Sequence, residues 1–312
     1  MSLEQRGRGW PGVAALALAT AFLSVVQPAL LMFVPLALLF IALPPRRPLL
    51  LALGAFVLWL TFGGTPVPNA LWYFERGWAL LLGAWFVVVM VLVPRWTFLP
   101  RALAAIAATA ATVAIFLLVN RGGFAVLDSA IATRLRSTAA QVLTLWQGTN
   151  ASANVRVDMS DMLYNLAELQ GRLFPALLAL ASLAALGVAW WAFGRVARGI
   201  AYPLARWREF RFRDELVWLL IAGLALLLLP LDQLATRAGE NLLLFMAVLY
   251  ALRGAAVLLV IGGASGPLAV VVGMLLVLFL TPFVMATTFL VGLSDTWLDI
   301  RARRRASSTP GS

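Results

Sequence analysis

The chain is predicted to be all-α, a polytopic transmembrane bundle of about eight to nine spans with an amphipathic helical excursion at about 121–171. Three observations predict this. The sequence is 62% hydrophobic and 12% charged, with a mean hydropathy of +0.94. Soluble domains are near half apolar and a quarter charged, so a soluble chain of this composition could not cover its own core. The apolar residues fall into long runs broken by proline, glycine or arginine clusters. Every one of the 24 basic residues is arginine, and most sit between the runs. That placement sets membrane orientation and headgroup contact, so the net charge of +11 does not indicate nucleic acid.

Nine apolar segments follow in order, at about 12–26, 29–43, 49–63, 77–94, 102–119, 173–193, 216–230, 241–262 and 267–293. A crossing helix needs roughly 20 residues, with about 17 as the lower limit. The first three are short and are punctuated by Pro28, Pro35 and Pro44-Pro45, so 12–43 reads as a short hairpin or as one long broken helix. Arg6 and Arg8 precede the first segment in the manner of a signal peptide. No convincing small-x-small site precedes Gln27-Pro28, and apolar sequence resumes at once, so the segment reads as a span. The whole chain, 1–312, reads as a single membrane domain with a basic disordered tail at 301–312.

Residues 121–171 are the one sizeable polar excursion. Leu127, Ile131, Leu135, Val142 and Trp146 share a helical face, with Arg134, Arg136 and Gln141 largely elsewhere. In a second stretch, Met162, Leu163, Leu166 and Leu169 oppose Asp161, Asn165 and Glu168, with Ser160 or Asp158 as cap. Two amphipathic helices on the membrane surface, or capping the bundle, fit this pattern. A substrate-gating lid is the sharper alternative. The sequon Asn150-Ala151-Ser152 reads as a chance match.

Tryptophans 10, 72, 78, 96, 207, 218 and 297 lie near segment ends, the pattern of an interfacial belt. The aromatic–basic mix at 205–218 resembles a base-stacking surface, but it lies directly between two apolar spans and reads as membrane-interfacial. The stretch 194–213 holds six arginines against Glu209 and is expected to be cytoplasmic. Counting back, Arg95, Arg101, Arg46 and Arg47 also fall inside, and 121–171 falls outside. The C-terminus conflicts, because three further crossings would put Arg301, Arg303, Arg304 and Arg305 outside. Pro282 divides 267–293, which suits a crossing plus a re-entrant turn and returns the tail to the cytoplasm.

With no cysteine and no histidine, disulfides, thiolate sites and the commonest metal ligand are excluded. No lysine is present for a Schiff base. No Gly-rich phosphate loop and no nucleophile–base spacing occurs, and the Gly-Gly pairs at 63–64, 122–123 and 262–263 sit at span ends, where turns want glycine. No cofactor, metal or catalytic residue is therefore expected. An enzyme on lipid-linked substrates is the weakest reading. Buried charge is the informative feature, because it is costly in lipid. Arg253 lies midway in 241–262 and must face a cavity or pair with an acid such as Glu75, Glu240 or Asp295; anionic ligand binding and structural pairing weigh evenly. Glu75-Arg76 opens the fourth span. With Asn241 at the head of its span, Arg253, Glu75 and Arg76 form the candidate ligand set. Asp295 and Asp299 share a helical face and, with Arg301, read as an interfacial ion-pair cluster rather than an acid/base pair or cation site. Small residues recur at four-residue spacing at Ala15/Ala19, Ala104/Ala108/Thr112 and Ala181/Ala185/Ala189, mostly for packing within the chain.

Five stretches carry a resemblance in order along the chain: "FVPLALLFIAL" (33–43), "ERGWALLLG" (75–83), "REFRFRDELVWLL" (208–220), "NLLLFMAVLYALRGAAVLLV" (241–260) and "GLSDTWLDIR" (292–301). Together they resemble the YybS-like family of uncharacterised bacterial membrane proteins. In that family a proline often follows the basic–aromatic pair, where this chain has Asp214. The family is similar, more distantly, to the substrate-binding S-components of energy-coupling-factor transporters. That resemblance implies a helix bundle in the bacterial inner membrane with an intramembrane ligand cavity, transporter-like, and a docking stripe at Ala15 and Ala19 for another membrane subunit. The alternative is a non-transporting membrane scaffold. A transporter requires a polar cavity around Arg253, and a scaffold requires Arg253 closed in an ion pair. The partners expected are the lipid bilayer and possible membrane subunits, not nucleic acid.

Overall fold

A computed structural model describes residues 27–63, 69–120, 122–146, 153–197, 210–261 and 267–298. Among these, the helices are α1 (Pro28–Ala42), α2 (Pro48–Phe62), α3 (Ala70–Leu92), α4 (Phe98–Val119), α5 (Gly123–Trp146), α6 (Ala153–Arg172), α7 (Phe174–Val196), α8 (Val217–Leu228), α9 (Gln233–Ile261) and α10 (Pro267–Leu298). A single 3-10 turn, Asp214–Leu216, precedes α8, and no strand occurs among the described residues. Among the described residues, four helices are long and apolar enough to cross a membrane: α3, α4, α7 and the Gln233–Leu258 part of α9. The chain divides into two compact units, 1–204 and 205–312.

In the first unit α7 is the central helix. Ala181, Ala185 and Ala189, the small-residue stripe of the sequence, are all buried in it, and so are Leu178, Leu186 and Phe193. Small side chains on one face let neighbouring backbones come close where lipid offers no hydrophobic drive. Helix α3 runs parallel to α7. Phe74 lies 6.1 Å from Phe174, and further along Phe86 lies 6.3 Å from Trp190, ring centroid to centroid. Helix α4 returns antiparallel, with Phe98 6.1 Å from Phe86 and the Trp85 indole N–H donating to Thr112 at 3.1 Å. Helix α1 brings Phe40 to 6.0 Å from Phe193, so its C-terminal end lies beside that of α7. Helix α2 folds back on α1, with Gly54 against Ala37 and Ile41.

These directions place the α1–α2 turn, the α3–α4 turn and the end of α7 at one end of the unit. Arg46, Arg47, Arg95, Arg101 and Arg195 all gather there. Arg101 is buried and closes the α3–α4 turn, donating from Nη2 to the Pro94 carbonyl and from Nη1 to Met90 Sδ. The α5–α6 excursion leaves from the opposite end, with Gly122 at φ +85° in the turn before it.

Several boundaries differ from expectation. Helix α3 begins at Ala70, capped by Asn69 Oδ1 on the Leu71 N–H at 3.0 Å, so Glu75 and Arg76 lie in its second turn rather than at its opening. The capping amide outweighs the polar pair in setting the start. Trp78 does not face outward, as a belt residue would. It is buried and donates to Ser182 Oγ at 3.0 Å, because a hydroxyl on α7 satisfies the indole inside the bundle. Helix α6 starts at Ala153, which makes Asp158 and Ser160 interior residues rather than caps. Residues 28–42 form a helix of their own, continuous through Pro35. The segment at 12–26 lies outside the described residues.

In the second unit, α9 packs against both α10 and α8. The α9 start extends back to Gln233, where Asp232 Oδ1 accepts from the Ala235 N–H at 2.9 Å. Helix α10 is continuous from Pro267 to Leu298, straight past Pro282, so the expected re-entrant turn is absent. A proline inside a helix removes one hydrogen bond and kinks it, but need not end it. The α9–α10 crossing is a backbone contact. A Cβ on Gly254 would fall on the Thr288 carbonyl, and one on Gly292 would fall on the Tyr250 carbonyl.

Candidate functional site

The most concentrated charge among the described residues surrounds Arg253, one residue before the Gly254 contact. Arg253 lies in the C-terminal third of α9, on the face that meets α10, and not midway as expected, because the helix begins at Gln233. Its guanidinium is closed on both edges. Nε donates to Asp295 Oδ2 at 3.0 Å, and Nη2 to the Asp295 carbonyl at 3.2 Å. Nη1 donates to Asp214 Oδ1 at 2.7 Å. The Arg253 and Asp295 side chains are both 0% exposed, whereas that of Asp214 is 41% exposed. Asp214 also accepts from Arg211 Nη2 at 3.2 Å. Two arginines and two aspartates thus alternate from surface to interior with no net charge.

Aromatic rings complete the enclosure. The guanidinium sits 5.3 Å from the Phe212 ring, which meets Tyr250 edge-on at 5.1 Å. Tyr250 in turn meets Phe289 at 6.1 Å. A cation over a ring face is attracted by the ring quadrupole, most strongly where water is absent. Beside this cluster an exposed pair, Arg213 and Glu215, bonds at 2.9 Å. The Arg213 hydrogen bond holds the Glu215 carboxyl below the usual carboxylate range.

Of the acids expected near Arg253, Asp295 pairs with it and Glu75 and Glu240 do not appear among its partners. Asp214 is the partner that sequence reasoning missed. Asp214, Arg253 and Asp295, which meet here, come from three of the five stretches carrying the resemblance. Asn241, twelve residues before Arg253 on α9, is about 18 Å away along the axis. It is buried and donates to the Arg237 carbonyl at 2.8 Å. The two are not brought together. Asp299 and Arg301 lie outside the described residues, as do Ala15 and Ala19.

In the first unit Glu75 is buried in α3 and pairs with Arg134 from α5. Sequence reading placed Arg134 on the outward face of an amphipathic helix; its long stem instead reaches back to the span. Arg76 donates to the Thr61 carbonyl at 2.9 Å and stacks 3.8 Å above the Trp72 ring. No group of three or more acidic side chains that could hold a metal ion occurs among the described residues.

These features define a multi-pass α-helical membrane protein in which buried Glu75, Arg253 and Asp295 each find a counter-charge within the chain. The chain belongs to the family described as Predicted membrane protein (DUF2232), which it matches over residues 13–296. No curated protein and no solved structure matches it.

Proposed function

We propose that this protein is a non-transporting membrane scaffold of the bacterial inner membrane. Its orientation follows the positive-inside rule: the arginine turns of the first unit face the cytoplasm, and the α5–α6 hairpin lies outside. The carrying observation is the closure of Arg253, whose three donor nitrogens are all engaged by Asp214 and Asp295. Three of its five N–H groups are thereby held by the chain's own acids, so its charge is answered within the protein. The basic stretch 194–213 and the outer helices are the surfaces offered to other membrane subunits.

A second reading keeps the ligand. Asp214 is the exposed member of the cluster, so an anionic ligand could take its place on Nη1. One experiment separates the two. Thermal unfolding of the protein in nanodiscs is followed against a metabolite and lipid panel, beside Arg253→Ala and Asp214→Ala. Any molecule bound by the native state raises apparent stability by mass action. The scaffold reading expects both variants to lose stability and no compound to stabilise the wild type. An anion that stabilises wild type, more so Asp214→Ala, and not Arg253→Ala overturns it.

A further inference from the structure

Helix α6 presents three faces. Ala167 and Gly171 face inward, and a Cβ on Gly171 would sit 3.7 Å from Leu135 of α5. Asp161, Asn165 and Glu168 form an exposed polar stripe. Met162, Leu166 and Leu169 form a second stripe at the same helical spacing, and they are 57%, 42% and 50% exposed. Val157 and Tyr164 are exposed too, but they border the polar face.

Chain connectivity fixes where the apolar stripe lies. Helix α6 ends at Arg172 and α7 begins at Phe174, with one residue between them. Helix α7 has 23 residues, about 34 Å at 1.5 Å per residue, which matches a hydrocarbon core of about 30 Å. Its first residue is therefore at the headgroup level. Leu169, five residues earlier, lies within about 8 Å of that level along the helix. The other end of the excursion is tethered alike: α4 closes on exposed Ile115, Phe116, Leu118 and Val119, and α5 opens on exposed Phe124 and Val126. An apolar stripe that starts at this level and runs back along α6, with carboxylates on the adjoining face, suits the bilayer interface.

We propose that α6 lies on the membrane with Met162, Leu166 and Leu169 seated among the lipid headgroups and upper acyl chains. Its acidic face is turned to water. This rests on the membrane character of the chain and not on the scaffold reading. An interfacial helix buries its apolar side about 5–10 Å into the boundary.

The test uses the absence of native cysteine. Single cysteines are introduced as Met162→Cys, Leu166→Cys and Leu169→Cys, and as Asp161→Cys, Asn165→Cys and Glu168→Cys. Each full-length variant is spin-labelled in phosphatidylethanolamine–phosphatidylglycerol vesicles, and collision with oxygen is compared with collision with a water-soluble nickel chelate. The stripe labels are expected to favour oxygen and the acidic-face labels to favour nickel, alternating with the helical period. Nickel preference at all six positions overturns the proposal, because the stripe then faces water. Shielding of the stripe from both reagents also overturns it, because protein then covers the stripe; label–label distances identify a second copy as the cover.

Discussion

Arg253 and Asp295 face each other across the α9–α10 crossing with Nε 3.0 Å from Oδ2, and neither side chain is exposed. Removing one partner of a buried pair leaves an uncompensated charge. Arg253→Ala and Asp295→Asn are each expected to lower stability by about 3–5 kcal/mol. Asp214→Asn should lose less, about 1–2 kcal/mol, because its carboxylate is part-exposed and an amide still accepts a hydrogen bond. The double change Arg253→Met with Asp295→Leu should recover most of the loss. Unfolding of the purified variants in mixed micelles checks the order. Equal losses at Asp214 and Asp295 would contradict this assignment of depth.

Gly254 and Gly292 let two helix backbones touch. A methyl group at either would meet backbone carbonyl atoms, which cannot rotate aside. Gly254→Ala and Gly292→Ala should each cost at least about 1–3 kcal/mol through overpacking. Gly77 is the internal control, since a Cβ there meets nothing within 4 Å. Gly77→Ala should stabilise α3 by about 0.5–1 kcal/mol. Thermal midpoints moving in opposite directions for the two classes would bear this out.

The Glu75–Arg134 pair is asymmetric: Glu75 is buried and the Arg134 side chain is 40% exposed. Arg134→Met strands a carboxylate inside α3 and should cost about 2–4 kcal/mol. Glu75→Gln leaves an arginine that can turn to water, and should cost about 1 kcal/mol or less. A double-mutant cycle measures the coupling. Limited proteolysis should show 123–146 cut faster in Arg134→Met than in Glu75→Gln.

Arg213 and Glu215 supply a contrast at the surface. The Glu215 carboxyl is held below its ordinary range by Arg213. Its stabilising contribution is therefore present above the unfolded-state value and fades as pH falls through the folded one. Both side chains are exposed, so screening leaves little. Glu215→Gln should not shift the unfolding midpoint measurably at neutral pH, and any difference from wild type should vanish on acidification. A large shift would place this pair in a drier setting.

Much of the architecture was legible in the sequence because span-length apolar runs have few alternative folds. The segments at 29–43, 49–63 and 173–193 match α1, α2 and α7 within three residues at each end. The errors fall where polar residues belong to a span. Asn69 starts α3 before Glu75 and Arg76, and Asp232 starts α9 well ahead of Asn241. Hydropathy reads such residues as boundaries, although capping and ion pairing carry them inside. Pro282 also read as a break, although a proline inside a helix removes one hydrogen bond without necessarily ending it. Arg253 stood out because a charge amid apolar residues is rare. Asp214 did not, because it lies in a basic loop where an acid looks ordinary.

The cluster also bears on how this part of the chain is made. Arg253 emerges from the ribosome 39 residues after Asp214 and 42 residues before Asp295. Inserting a lone arginine into a spanning helix is costly, up to roughly 2.5–3.5 kcal/mol at the centre. Asp214 is already synthesised when that cost arises, so a counter-ion is in place before α10 exists. Asp295 then arrives with α10 and takes the inner edge of the guanidinium. Of the two acids that hold Arg253, Asp214 is thus the one already made when α9 enters the bilayer.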